Sequence, residues 1–141
     1  MPIDPNNPVV LLCAAGMERD GEPEEARRLF QQAWDARRND YDAAIAAHYL
    51  ARHQRTPHEA LRWNSLAVTH AERVVDGRTT ELFPSLYLNL ASSLTALGRL
   101  DEAREIIGRA KERLEGLRAD GYRDFLAIGI NRLQARLENT A

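Results

Sequence analysis

The sequence predicts an all-α fold, and three observations carry that prediction. Apolar residues recur at helical spacing, as in Ala26, Leu29, Phe30, Ala33 and Trp34, or Leu86, Tyr87, Leu90, Ala91, Leu94 and Leu97. No comparable segment alternates apolar and polar residues between hairpin turns. Alanine and leucine, both strong helix formers, are abundant throughout.

The elements follow in chain order. The first apolar run, Val9 to Ala15, is shorter than the roughly 20 residues a membrane-spanning helix needs. It resembles a short signal core, but no Lys or Arg precedes it, and Leu12 suits a lipidation site at Cys13 poorly. Next, Gly21-Glu22-Pro23-Glu24-Glu25 punctuates the chain. A glycine there can close one helix in the left-handed conformation, and the acids can open another near its positive end. The amphipathic stretch Glu24 to Arg38 follows. Thr56-Pro57-His58-Glu59 reads as N-cap, N1, N2 and N3: a hydroxyl to accept an orphan amide, a proline with no amide to lose, and a glutamate able to reach back. Asp76 to Thr80 marks a break before the helical stretch Leu86 to Leu97. Gly98-Arg99-Leu100-Asp101-Glu102 repeats the glycine-then-acid signal, and Asp120-Gly121 precedes a final helical stretch, Tyr122 to Leu137.

Composition narrows the function classes. At 141 residues with 44% hydrophobic side chains, the chain is long enough to bury a core as one domain, residues 1–141, without a metal or disulfide staple. A single cysteine, Cys13, excludes an internal disulfide framework. A net charge of −2 lacks the basic excess of a dedicated nucleic-acid binder. With no long apolar stretch, we expect a soluble, cytoplasmic protein without membrane contact. Its cations are 18 arginines beside one lysine, Lys111, which favours planar, bidentate partners.

The punctuation repeats. Ala26 lies in Glu-Glu-Ala-Arg, Ala60 in His-Glu-Ala-Leu and Ala103 in Asp-Glu-Ala-Arg, at intervals of 34 and 43 residues. Seven residues beyond each stands another alanine: Ala33, Ala67 and Ala110. Two alanines two turns apart on one helix face let a neighbouring helix approach closely. With Tyr87, Leu90, Ala91, Leu94, Gly98, Ala103, Ile107 and Ala110 in the best copy, the chain resembles the tetratricopeptide repeat (TPR) family, a 34-residue helix–turn–helix unit. The copies span about residues 7–40, 41–74 and 84–117, with a helix of about 120–138 as the cap a solenoid needs. The middle copy is degenerate, with His48, Arg55 and Asn64 where the family has a small residue, a glycine and an aromatic. The resemblance implies about seven antiparallel helices in an α-α superhelix.

Candidate chemistry is sparse. His48 and His53, five apart on a helix, point about 140° from one another and cannot easily share an ion. His58-Glu59 begins like a zinc-protease motif, but Arg62 stands where the second histidine belongs. Ser65 and His70 face differently, no phosphate-cradling glycine loop occurs, and Cys13 sits at a core-facing position. We therefore expect no catalytic residue, no metal and no cofactor. Trp34 and Trp63 both fall on second helices, where packing between repeats is the simpler reading.

What remains is implied by the resemblance. First helices of TPR repeats line a concave groove, and the matching positions here are Asp42, Ile45, Tyr49, Arg52, Leu88, Asn89 and Ser92. Tyr49 and Arg52 lie three apart, setting an aromatic platform beside a guanidinium, and Asn89 can both donate to and accept from a peptide backbone. Family members that clamp a C-terminal carboxylate use Lys and Asn where this chain has Leu11 and Ala15, so chaperone-tail binding is not expected. The resemblance thus implies a non-catalytic adaptor for a protein or peptide, with a small-molecule or signal-peptide sensor as the alternative. Apolar residues on more of the last helix than one neighbour would cover leave room for a homodimer.

Overall fold

The computed structural model describes Asp4 and residues 6–139. Among these residues run seven α-helices and no strand: α1 (Pro8–Met17), α2 (Pro23–Asp35), α3 (Asp40–Ala51), α4 (Pro57–Arg73), α5 (Phe83–Ala96), α6 (Leu100–Leu114) and α7 (Gly121–Glu138). A 3₁₀ turn, Thr80–Leu82, precedes α5. The helices gather into two compact units, Met1–Thr79 with α1 to α4 and Thr80–Ala141 with α5 to α7. The division falls inside the segment that lengthens the second repeat interval.

In the first unit α1 packs on α2, α3 on α4, and α3 also meets α1 and α2. Local chemistry sets the helix starts. Asn7 caps α1 by accepting from Val9 N at 2.9 Å, and Asn39 caps α3 by accepting from Asp42 N at 2.8 Å. Thr56 caps α4 as its sequence foretells, accepting from Glu59 N at 3.2 Å with Pro57 in the first turn. Helix contact rests on small residues: Ala26, Ala33, Ala46, Ala47 and Ala71 are wholly buried, whereas Ala60 of the degenerate copy is only half-buried. Around them pack Val9, Cys13, Phe30, Leu50 and Trp63.

Two turns depart from the glycine pattern. Gly21 does not take the left-handed conformation expected of it; only Gly77 and Gly98 have positive φ among the described residues. The chain leaves α1 through right-handed turns instead, with Arg19 N donating to Gly16 O and Glu22 N to Arg19 O. Between α3 and α4, no residue has positive φ, so Arg55 stands there without strain. The lengthened interval after α4 folds back on its own unit. Thr79, buried, donates its hydroxyl to Ala71 O at 3.0 Å, and the Arg78 guanidinium lies 4.5 Å over the Tyr41 ring.

In the second unit α5 and α6 form a hairpin closed by Gly98 at φ 74°. Arg99 N donates to Leu94 O and Gly98 N to Thr95 O, the paired bonds of a Schellman cap. Ala91, Ala103 and Ala110 are wholly buried, which puts the repeated alanines at the helix contact. Asp120 caps α7, whose Leu126, Ile130, Leu133 and Leu137 are buried where it packs on α5 and α6. Arg104 adds a bond from its guanidinium to Leu137 O at 3.0 Å. No helix among the described residues is long and apolar enough to cross a membrane.

Candidate binding site

Of the seven groove positions, three lie on α3 and one at its C-cap in the first unit, and three on α5 in the second. On α3, Asp42 is not a surface residue. It is fully buried, and its carboxylate accepts from Asn7 Nδ2 at 2.7 Å and from Arg38 N and Nε at 3.1 Å each. Asn7 therefore caps α1 with its oxygen and ties α1 to α3 with its nitrogen. A carboxylate so occupied is a structural clasp and leaves nothing for a partner to bind. Ile45 is half-buried.

Tyr49 is half-buried and stacks on Phe30 of α2, with ring centroids 5.3 Å apart and planes 16° apart. His53 lies 5.2 Å from the same Phe30 ring, and His48 lies 5.3 Å from Tyr49. The stack has a steric condition on its far side. A Cβ on Gly16 of α1 would stand 2.4 Å from Phe30 Cε1, so only glycine admits the ring there. Burial, seconded by the Arg52 charge, pushes the His48 imidazole down to about 4. The same two causes lower His53, with Asp20 opposing them. Both rings are held neutral at physiological pH.

Arg52, one turn beyond Tyr49 at the C-cap of α3, is exposed; its backbone N donates to Tyr49 O at 3.2 Å, and its guanidinium has no hydrogen-bond or ion-pair partner among the described residues. Together with Met17, Asp20, Phe30 and His53 it lines a cleft of about 120 Å³. The lining thus combines two apolar side chains, Met17 and Phe30, with a cation, a carboxylate and an imidazole. Met17, Asp20 and Phe30 were not among the sequence candidates, because the α1–α2 turn reaches the end of α3 only through the fold.

On α5 of the second unit, Leu88 and Asn89 are half-buried and Ser92 is exposed. Leu88 is engaged with α7: its Cδ2 lies 3.0 Å from where a Cβ on Gly129 would stand.

The remaining candidates are structural. Trp34 and Trp63 meet edge to face at 5.0 Å, and Arg37 stacks 4.0 Å over Trp34. His70 Nδ1 sits 2.8 Å from Asp40 Oδ1. Burial pushes the Cys13 thiol up to about 12, far from a reactive thiolate. No group of three or more His, Cys, Asp or Glu suited to a metal occurs among the described residues.

Comparison with known proteins turns on structure. No protein-family model and no curated protein sequence matches the chain. The crystal structure of a TPR-like protein (CT2138) from Chlorobium tepidum TLS superposes with a TM-score of 0.76, over 93% of this chain and 94% of that one, at 19% identity. The fold is TPR-like. At that identity the likeness concerns the backbone arrangement, and the side chains that line the cleft at Arg52 belong to this chain.

Proposed function

We propose that this TPR-like chain is a non-catalytic binding module that takes an extended peptide segment at the cleft beside α3. The observation that carries this reading is Arg52. It is an exposed guanidinium with no acid paired to it, lining a cleft together with Met17, Asp20, Phe30 and His53, and Phe30 carries the Tyr49 stack. Such a site suits a peptide carboxylate on Arg52, held bidentately, and a neighbouring apolar side chain against exposed Met17. Volume favours a peptide side chain over a free small molecule. The cleft of about 120 Å³ is well below the roughly 300–1,000 Å³ of ordinary ligand pockets.

Selection of a random peptide library on the immobilised full chain tests the proposal. Peptides with an acidic residue next to an apolar one should be enriched, and Arg52→Glu should weaken their binding by at least tenfold while helical circular dichroism is unchanged. Equal binding by parent and Arg52→Glu would remove the cleft from the account.

A further inference from the structure

Helix α7 has two faces. One, Leu126, Ile130, Leu133 and Leu137, is buried in its own unit. The other carries Phe125 and Ile128, which are 72% and 53% exposed, on the side opposite those leucines. At about 100° per residue, Gly121, Phe125, Ile128, Arg132 and Ala135 fall on one stripe, with Asp124 at its border. Asp124 and Arg132 are exposed, and neither side chain has a hydrogen-bond or ion-pair partner among the described residues. They stand eight residues apart, about 12 Å along the axis, too far to pair within one helix.

We propose that this stripe pairs, antiparallel, with the same stripe of a second copy of this chain. The pattern is self-complementary about Ile128. An isologous contact brings residue i against residue j and j against i. With Ile128 at the two-fold axis, Asp124 and Phe125 of each copy come beside Arg132 of the other. That places a carboxylate on each guanidinium and an aromatic face under it, twice. Gly121 of each copy meets Ala135 of the other, so small residues at both ends let the helices approach. A different partner would need its own matching arrangement, whereas a second copy already has one. The contact is a single helix pair, in the small class of interfaces below about 1,200 Å², so it forms at high concentration and reverses on dilution.

Sedimentation velocity of the full chain from micromolar to millimolar concentration reads the outcome. The parent should move from monomer toward dimer, and Phe125→Glu should stay monomeric throughout. Asp124→Arg and Arg132→Asp should each abolish the dimer, and the double exchange should restore it. If Asp124→Arg loosens the start of α7 by circular dichroism, Ile128→Glu, exposed in mid-helix, replaces it as the disrupting change. A parent that stays monomeric at millimolar concentration overturns the proposal, as does a Phe125→Glu variant that still dimerises. A double exchange that folds without restoring the dimer overturns the antiparallel pairing.

Discussion

Two glycines in helices should respond to alanine with opposite sign. At Gly16 a new Cβ would lie 2.4 Å from Phe30 Cε1 and 2.8 Å from Cδ1 and Cζ, against the roughly 3.5–4.0 Å of a relaxed carbon contact. The ring has little room to retreat, since Phe30 is buried and bears Tyr49 and His53 against it at 5.3 and 5.2 Å. Overpacking of this kind costs about 1–3 kcal/mol. Alanine recovers up to about 1 kcal/mol of helix propensity in a helix interior, less here because Gly16 is next to the last residue of α1. The net expectation for Gly16→Ala is a loss of roughly 1–2 kcal/mol. At Gly108, inside α6, a Cβ meets nothing within 4 Å. Gly108→Ala should therefore gain about 0.5–1 kcal/mol. Urea denaturation followed by circular dichroism measures both, provided the slope is unchanged. A Gly16→Ala variant as stable as the parent would mean that α1 does not rest against the Phe30 ring.

Other perturbations follow from the same contacts. Ala103, wholly buried where α6 meets its neighbours, should not tolerate leucine: Ala103→Leu should lose about 1–3 kcal/mol in the same urea assay, and no loss would place the repeat contact elsewhere. Asp42→Asn puts an amide N–H₂ among the donors Asn7 Nδ2 and Arg38 N, so stability should fall by roughly 1–3 kcal/mol, and an unmoved midpoint would contradict the clasp. His48 binds its proton more weakly folded, at about 4, than unfolded, near 6.5, so acid favours unfolding across that interval. Stability should fall by about 2 kcal/mol between pH 7 and 5, and His48→Gln should flatten much of that slope; a parent with no slope there would refute the burial of its ring.

How much of this was legible in the sequence depends on the range of the interaction. The helix start at Thr56 is written within four residues as capping chemistry and appears where expected, and the break read at Asp120-Gly121 proves to carry a cap of its own, Asp120 accepting from Arg123 N. The buried alanines Ala26, Ala33, Ala67, Ala103 and Ala110 were legible because each copy carries an alanine pair seven residues apart, and only Ala60 of the degenerate copy stays half-buried. Asp42 misled because an acid in the first turn of a helix reads equally well as solvated, and its partner Asn7 lies 35 residues away. Asn7 itself, standing before Pro8, carried a readable cap signal, but nothing local showed its nitrogen reaching α3. The stack of Phe30 on Tyr49, and the space left by Gly16, join three helices with no shared motif. Gly21 failed as a left-handed cap because a right-handed turn could serve the same connection.

The account rests most heavily on the cleft at Arg52. A backbone and indole nuclear-magnetic-resonance titration of the isotope-labelled full chain, with a peptide taken from the library selection, addresses it directly. The amides of Met17, Asp20, Arg52 and His53 should shift together and saturate together, while the indole signals of the Trp34–Trp63 pair stay in place. Movement of those two indoles with a silent Arg52 region would contradict the account and put the binding surface on the tryptophan side of the first unit.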